Sequence, residues 1–234
     1  MSDWKQKRFW TLADVARDGD GFAIELDGRR VKTPAKAALI LPTRDMAEAA
    51  AAEWAAQDKA INPETMPVTR SANAAIDKVH HQHGEVADML AAYGDTDLLC
   101  YRAEEPDALV ARQAEQWDPA LNWAERTLRA RLNTHAGVVH SPQDPDALAR
   151  LSERVHALSD FQLAAFHDLV SLSGSLVLGF AATMDWRAPE DIWNLSRLDE
   201  LWQEEKWGPD DEAQALAETK RKAFLHAKRF FDFS

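Results

Sequence analysis

The chain has 234 residues, with 27 Lys and Arg against 39 Asp and Glu, for a formal net charge of -12 at pH 7. A nucleic-acid partner would need a basic patch working against that field, so nucleic acid is set aside. At 46% hydrophobic residues there is material for a sizeable core, but the most apolar run, Leu169 to Thr183, holds three serines and two glycines; it falls short of the roughly 20 apolar residues a membrane span needs.

Short apolar or alternating runs at Arg8-Phe9-Trp10, Gly21 to Leu26 and Leu39-Ile40-Leu41 read as strands. They are separated by Asp18-Gly19-Asp20-Gly21 and Asp27-Gly28, the chemistry of hairpin turns. Pro42-Thr43 then breaks the chain and offers an N-cap to an alanine-rich helix from Met46 to Lys59. A second helix is expected from Ser71 to His81, with Ala72, Ala75, Ile76 and Val79 on one face, and a third from Glu85 to Tyr93. Residues 97–101 read as a short strand or extended link. Beyond Asp107 long amphipathic patterns take over: Ala108 to Arg131, Pro145 to Leu158, Phe161 to Met184, Pro189 to Trp207 and Pro209 to Phe231. Prolines fall between these patterns, where they can start helices, and the C-terminal half reads as wholly helical. The expected fold class is α+β, with a small strand-rich N-terminal lobe carrying helices (1–95) and an all-helical C-terminal lobe (96–234), joined between Gly84 and Asp107.

Candidate chemistry is sparse. The single cysteine, Cys100, excludes an intramolecular disulfide and points to a reducing compartment. Leucines, a tyrosine and aspartates surround it, with Arg102 the one local cation, so a small buried side chain fits better than a thiolate nucleophile. In Lys78 to His83 only His80 and His83 share a helix face, too few ligands for a zinc site, and no metal is expected. Ser171 to Ser175 lacks the glycines of a nucleophile elbow and reads as small residues for close helix packing. No glycine-rich phosphate loop follows a strand, so no nucleotide or other cofactor is expected. The basic run Arg29 to Lys36 suits an exposed sheet edge that discourages edge-to-edge pairing. A small hydrolase built on Cys100 or the His80/His83 pair stays open as the alternative.

Nine tryptophans against two tyrosines are the compositional oddity. Most should be core, but Trp202 and Trp207 lie in a charged segment, Arg197 to Glu212. Leu198, Leu201, Trp202 and Glu205 fall at helical spacing on one side, with Asp199 and Gln203 on an adjacent face. A solvated amphipathic helix would look like this. So would a protein-binding surface, in which an aromatic anchor supplies affinity and carboxylates supply steering and register.

The chain resembles a known family along nearly its whole length. The resemblance rests on Lys7-Arg8-Phe9-Trp10, Leu26-Asp27-Gly28-Arg29 with Val31-Lys32-Thr33-Pro34, and Glu53-Trp54 with the stretch from Met66-Pro67 to Ala75. It continues through Asp97 to Arg102, Gln116-Trp117-Asp118-Pro119, Arg197-Leu198-Asp199, Gln203 and Lys206-Trp207-Gly208. In that order these motifs are similar to the assembly chaperone of the F-type ATP synthase head that binds the newly made alpha subunit. The resemblance implies a chaperone without catalytic residues, whose partner-binding surface carries Asp199, Glu200, Trp202, Gln203, Glu204, Glu205 and Trp207. The family's functional acidic residue matches Asp199 most closely, with Asp here in place of Glu. The first residues, Met1 to Lys5, lack the apolar run of a secretory signal. That fits a bacterial cytoplasmic member, or a mitochondrial matrix protein after processing.

Overall fold

The computed structural model describes residues 7–234, so the expectation about Met1 to Lys5 lies outside the described residues. The fold is α+β: N-terminal strands with helices, then a mainly helical region. Two compact units are formed, one from Met1–His83 with Ser159–Ala164 and Arg229–Ser234, the other from Gly84–Leu158 and Ala165–Lys228. The first unit is thus discontinuous in sequence, whereas the sequence pattern suggests one division at 95/96.

In the first unit, β1 (Ala13–Asp18) and β2 (Gly21–Leu26) form a hairpin in register from Ala13↔Leu26 to Asp18↔Gly21. Gly19 at φ +57 turns it. β1 is not apparent as a strand in the sequence because ADVARD is largely polar, while β2 is the central strand and carries the core residues Ala23, Ile24 and Leu26. A second two-residue turn, Asp27-Gly28 at φ 48 and 77, leads into β3 (Arg29–Arg30), and β4 (Ile40–Leu41) pairs farther along β2. Positive φ at both positions is the geometry that Asp-Gly supplies to hairpins. Asp27 braces the turn by accepting the backbone N–H groups of Leu12 and Thr11, which hold its carboxyl below the usual range. Arg8-Phe9-Trp10, expected as a strand, is irregular; Lys7 makes an isolated bridge to Ala60.

Helix α1 (Arg44–Ala55), N-capped by Thr43, turns Met46, Ala47, Ala50 and Ala51 inward; alanines let it approach β1 and β2 closely. Helix α2 (Pro67–Asp77) begins with proline, and Glu53 of α1 closes its N-terminus by accepting the N–H groups of Val68 (2.6 Å) and Thr69 (2.8 Å).

In the second unit, α3 (His83–Ala91), whose first residue still belongs to the first unit, precedes a 3-10 turn, Leu98–Cys100. The expected extended link at 97–101 is therefore mostly helical turn. It runs into β5 (Tyr101–Arg102), which pairs in parallel with β6 (His135–Ala136), so the C-terminal half is not wholly helical. α4 (Asp107–Thr127), α5 (Pro145–His156), α6 (Asp160–Ser173), α7 (Leu176–Thr183), α8 (Pro189–Ser196), α9 (Leu198–Trp207) and α10 (Asp211–Asp232) complete the chain.

The predicted helix 161–184 is two helices. Gly174, at φ +69, ends the first, and the Ser175 hydroxyl caps the second by accepting the Leu178 N–H. These small residues break the helix rather than pack it. Helix α7, buried from Leu176 to Ala182, is the hub of this unit. At Gly179 a Cβ would come within 2.7 Å of Val170 in α6, so only glycine permits that approach. The predicted helix 189–207 likewise divides, at Arg197.

Candidate functional site

Helix α9 is built with its charges matched to its dipole: Asp199 and Glu200 in the first turn, Lys206 in the last, and Gly208 at φ +90 beyond the end. Leu198 and Trp202, one turn apart, are its buried residues, whereas Leu201 is exposed. Two cations approach the Trp202 ring, the Arg112 guanidinium of α4 at 4.8 Å and the Lys206 ammonium at 4.6 Å. Arg112 is held there by Glu205, to which it donates at 2.8 Å; that bond keeps the Glu205 carboxyl below its ordinary range. Glu204 accepts from Arg197 at 3.2 Å.

A groove of about 780 Å³ opens beside this helix. Asp199, Trp202, Gln203, Lys206 and Trp207 line it from one side, the spacing of a single helical face. Glu200, Glu204 and Glu205 do not line it. Trp202 is only 7% exposed and so belongs to the wall, while Trp207 is 79% exposed and is the exposed tryptophan among the described residues. The sequence pattern places the two rings on equal footing; the structure separates wall from open surface.

The other side of the groove comes from the segment following β5, Ala103 to Pro106, from Leu109 and Gln113 of α4, and from Gly137-Val138 after β6. Gln113, 2% exposed, links the two sides: its Oε1 accepts the Ala103 N–H and its Nε2 donates to Asp199 Oδ1, each at 2.8 Å. Asp199 is thereby oriented by a neutral donor. It has no cationic partner among the described residues, and neither do Glu104 and Glu105. Arg102 is committed elsewhere, donating to Asp118 and to the Leu99 carbonyl at 2.8 Å each, with its guanidinium over Trp117 at 5.4 Å. Sequence reasoning missed Gln113, Glu104, Glu105 and Val138. Val138-Val139, 91% and 79% exposed in a polar loop, was the one available signal.

The residues weighed for catalysis are elsewhere and otherwise engaged. Cys100 has no exposure, and burial, then the nearby Asp97 charge, push its thiol up to about 12, far from thiolate chemistry at neutral pH. His80 and His83 do converge, each placing Nδ1 at 2.8 Å from one oxygen of Asp160. Burial raises the Asp160 carboxyl, but the two imidazole hydrogen bonds outweigh it and leave it below the usual range. Among the described residues no group of three or more His, Cys, Asp or Glu could hold a metal ion, and no helix is long and apolar enough to cross a membrane. Ser173 is buried and donates its hydroxyl to the Leu169 carbonyl at 2.6 Å. The basic run at Arg29-Arg30 forms the edge strand β3, with Arg30 beside Glu25 at 3.8 Å.

What this arrangement can do is bind. An open groove with an exposed indole, apolar walls and uncompensated carboxylates suits a polypeptide carrying apolar and cationic groups. Comparisons agree with that character. The family model of the ATP12 chaperone protein matches residues 7–125. The mitochondrial protein atp12 of Schizosaccharomyces pombe is 25% identical over 222 residues, 90% of this chain and 76% of that protein. The crystal structure of ATP12 from Paracoccus denitrificans is 46% identical and superposes with a TM-score of 0.96 over 99% of both chains, as does an aspartate-to-lysine mutant of that protein. A chain from Agrobacterium tumefaciens is 39% identical, with a TM-score of 0.88 over 95% of this chain and 85% of that one. With half the sequence matched by the family model and the whole fold shared at 46% identity, the chain belongs to the ATP12 chaperone family, the ATP synthase assembly chaperones that its motifs resemble.

Proposed function

We propose that this protein binds the unassembled alpha subunit of ATP synthase, shields its apolar subunit-contact surface and hands it over for assembly of the catalytic head. The observation that carries the reading is the pairing of an exposed Trp207 with the cation-free Asp199 carboxylate along one face of α9, at the mouth of an open groove. An isolated subunit with a large apolar contact surface is an aggregation hazard, and covering about 800 Å² per partner suffices for specific association. Release needs no nucleotide hydrolysis if the contact in the finished head is larger than the contact with the chaperone. The partner surface comprises Asp199, Trp202, Gln203 and Trp207 at the groove, with Glu200 adding negative field beside it and Glu204 and Glu205 bordering it while paired with Arg197 and Arg112. The protein acts without catalysis, a reading supported by the buried, unreactive Cys100 and by the Asp160-bound histidines. Its stronger similarity to bacterial than to mitochondrial relatives supports a bacterial cytoplasmic site of action.

The test is co-elution with purified alpha subunit at moderate salt. Wild type should capture alpha and not beta. Asp199→Lys, which reverses the charge on the groove face and takes the acceptor from the buried Gln113 amide, should weaken capture at least about tenfold in a chain that stays folded with a melting temperature lower by a few degrees. Capture undiminished by the substitution would remove Asp199 from the interface, and no capture by the folded wild type would remove the function.

A further inference from the structure

The rim opposite α9 says what kind of segment the groove accepts. Glu104 and Glu105 are exposed and, like Asp199, have no cationic partner among the described residues, whereas the nearby guanidiniums of Arg102 and Arg112 are held by Asp118 and Glu205. Glu104 is placed rather than loose: its carboxyl lies over Gly137, where a Cβ would stand 3.6 Å from the carboxyl carbon. Between the acidic rims the surface is apolar, with Leu109 half-buried and Val138 and Trp207 91% and 79% exposed. Lys206, the cation on the lining without an ion-pair partner among the described residues, is drawn to the Trp202 ring at 4.6 Å.

We propose that the groove receives an extended segment of the partner polypeptide in which a lysine or arginine stands next to a large apolar side chain. The cation is drawn to Asp199, Glu104 and Glu105, and the apolar group packs on Trp207 and Val138. These carboxylates lose water when a partner docks over them, which is costly unless the partner brings a cation, so a cationic occupant is favoured over a neutral or acidic one. The same charges disfavour a second copy of this chain, which brings its own net charge of -12. The inference rests on the alpha-subunit reading, because it states which chemistry of that partner the groove takes.

The experiment measures the affinity of the full chain for purified alpha subunit, then maps the contact with a photo-crosslinking residue at Val138 and mass spectrometry. Trp207→Ala should weaken binding at least about tenfold, and Glu104→Gln with Glu105→Gln about fivefold with a flatter salt dependence. Glu64→Gln, exposed in the first unit, should change nothing. The crosslinked alpha peptide should contain a lysine or arginine beside a large apolar residue. If wild type binds alpha while the groove variants bind equally well, or the crosslinked peptide lacks a cation, the inference fails and the chaperone reading stands. If wild type does not bind alpha, both fail. Self-association of the chain that disappears with Trp207→Ala would assign the groove to a second copy and overturn the inference.

Discussion

Asp97 is the residue on which the second unit turns. It has no exposure, yet its carboxylate accepts the N–H groups of Leu99 and Val177 at 3.0 Å each, joining the turn before β5 to the N-terminus of α7. Burial pushes its pKa up to about 6 from an ordinary 3.8, against the pull of those hydrogen bonds. The folded state therefore holds the proton more tightly than the unfolded chain. Its contribution to stability is complete below about pH 4 and is lost as pH rises through about 6, a change of roughly 3 kcal/mol for a shift of about two units. Asp97→Asn removes the titration but sets an amide NH₂ against a backbone donor, costing about 1–3 kcal/mol. In urea unfolding, the advantage of wild type over the variant should shrink from pH 4.5 to pH 7; a gap that stays constant would show that Asp97 does not titrate there.

Among the elements, those with a clean period are legible in the sequence, and those decided by one backbone angle are not. β2 and α1 announce themselves through apolar spacing and Asp-Gly and Thr punctuation, and helices α4, α5 and α10 lie within a few residues of expectation, whereas α2 starts at Pro67 and ends at Asp77, four residues before each expected bound, with Val79–His81 a separate 3-10 turn. The stretch from 161 to 184 is apolar on both sides of its break, so the periodic pattern carries across the point where the helix stops. Ser-Gly-Ser is the signal there, a C-terminal glycine followed by an N-cap rather than a packing patch. At the site, α9 is apparent because its charges and rings share one helix. The facing rim is not, because Glu104, Glu105, Gln113 and Val138 are brought to it by the two-residue β5–β6 pairing and by α4, which no local pattern reveals. The break itself is testable. A Cβ added at Gly174, where φ is +69, would find its nearest foreign atom, Leu98 Cβ, 3.9 Å away, so a side chain there meets a backbone penalty rather than a clash. Gly174→Ala should cost about 1 kcal/mol, seen in calorimetry as a melting temperature lower by roughly 2–4 °C. No change would mean that the residue relaxes out of the left-handed region without loss.

For the molecule as a whole, the net charge of -12 and the apolar contact at Trp207 act at different distances and should separate in kinetics. The overall field reaches a partner only within about a Debye length, some 8 Å at physiological ionic strength, and works on encounter. The apolar contact at Trp207 exists only after docking and works on escape, whereas the rim carboxylates, being charged, add to the field at encounter. Raising salt from about 50 to 300 mM should therefore slow association with alpha severalfold while leaving dissociation nearly constant. Neutralising exposed acids away from the groove, such as Asp211 and Glu212 at the start of α10, should reduce the association rate modestly in the same sense. Trp207→Ala should do the reverse, speeding dissociation with little effect on association. Stopped-flow or surface-based kinetics on these variants distinguishes the two terms. Were salt to act mainly on dissociation, the decisive charges would lie inside the contact, and steering by the whole molecule would have no part in recognition.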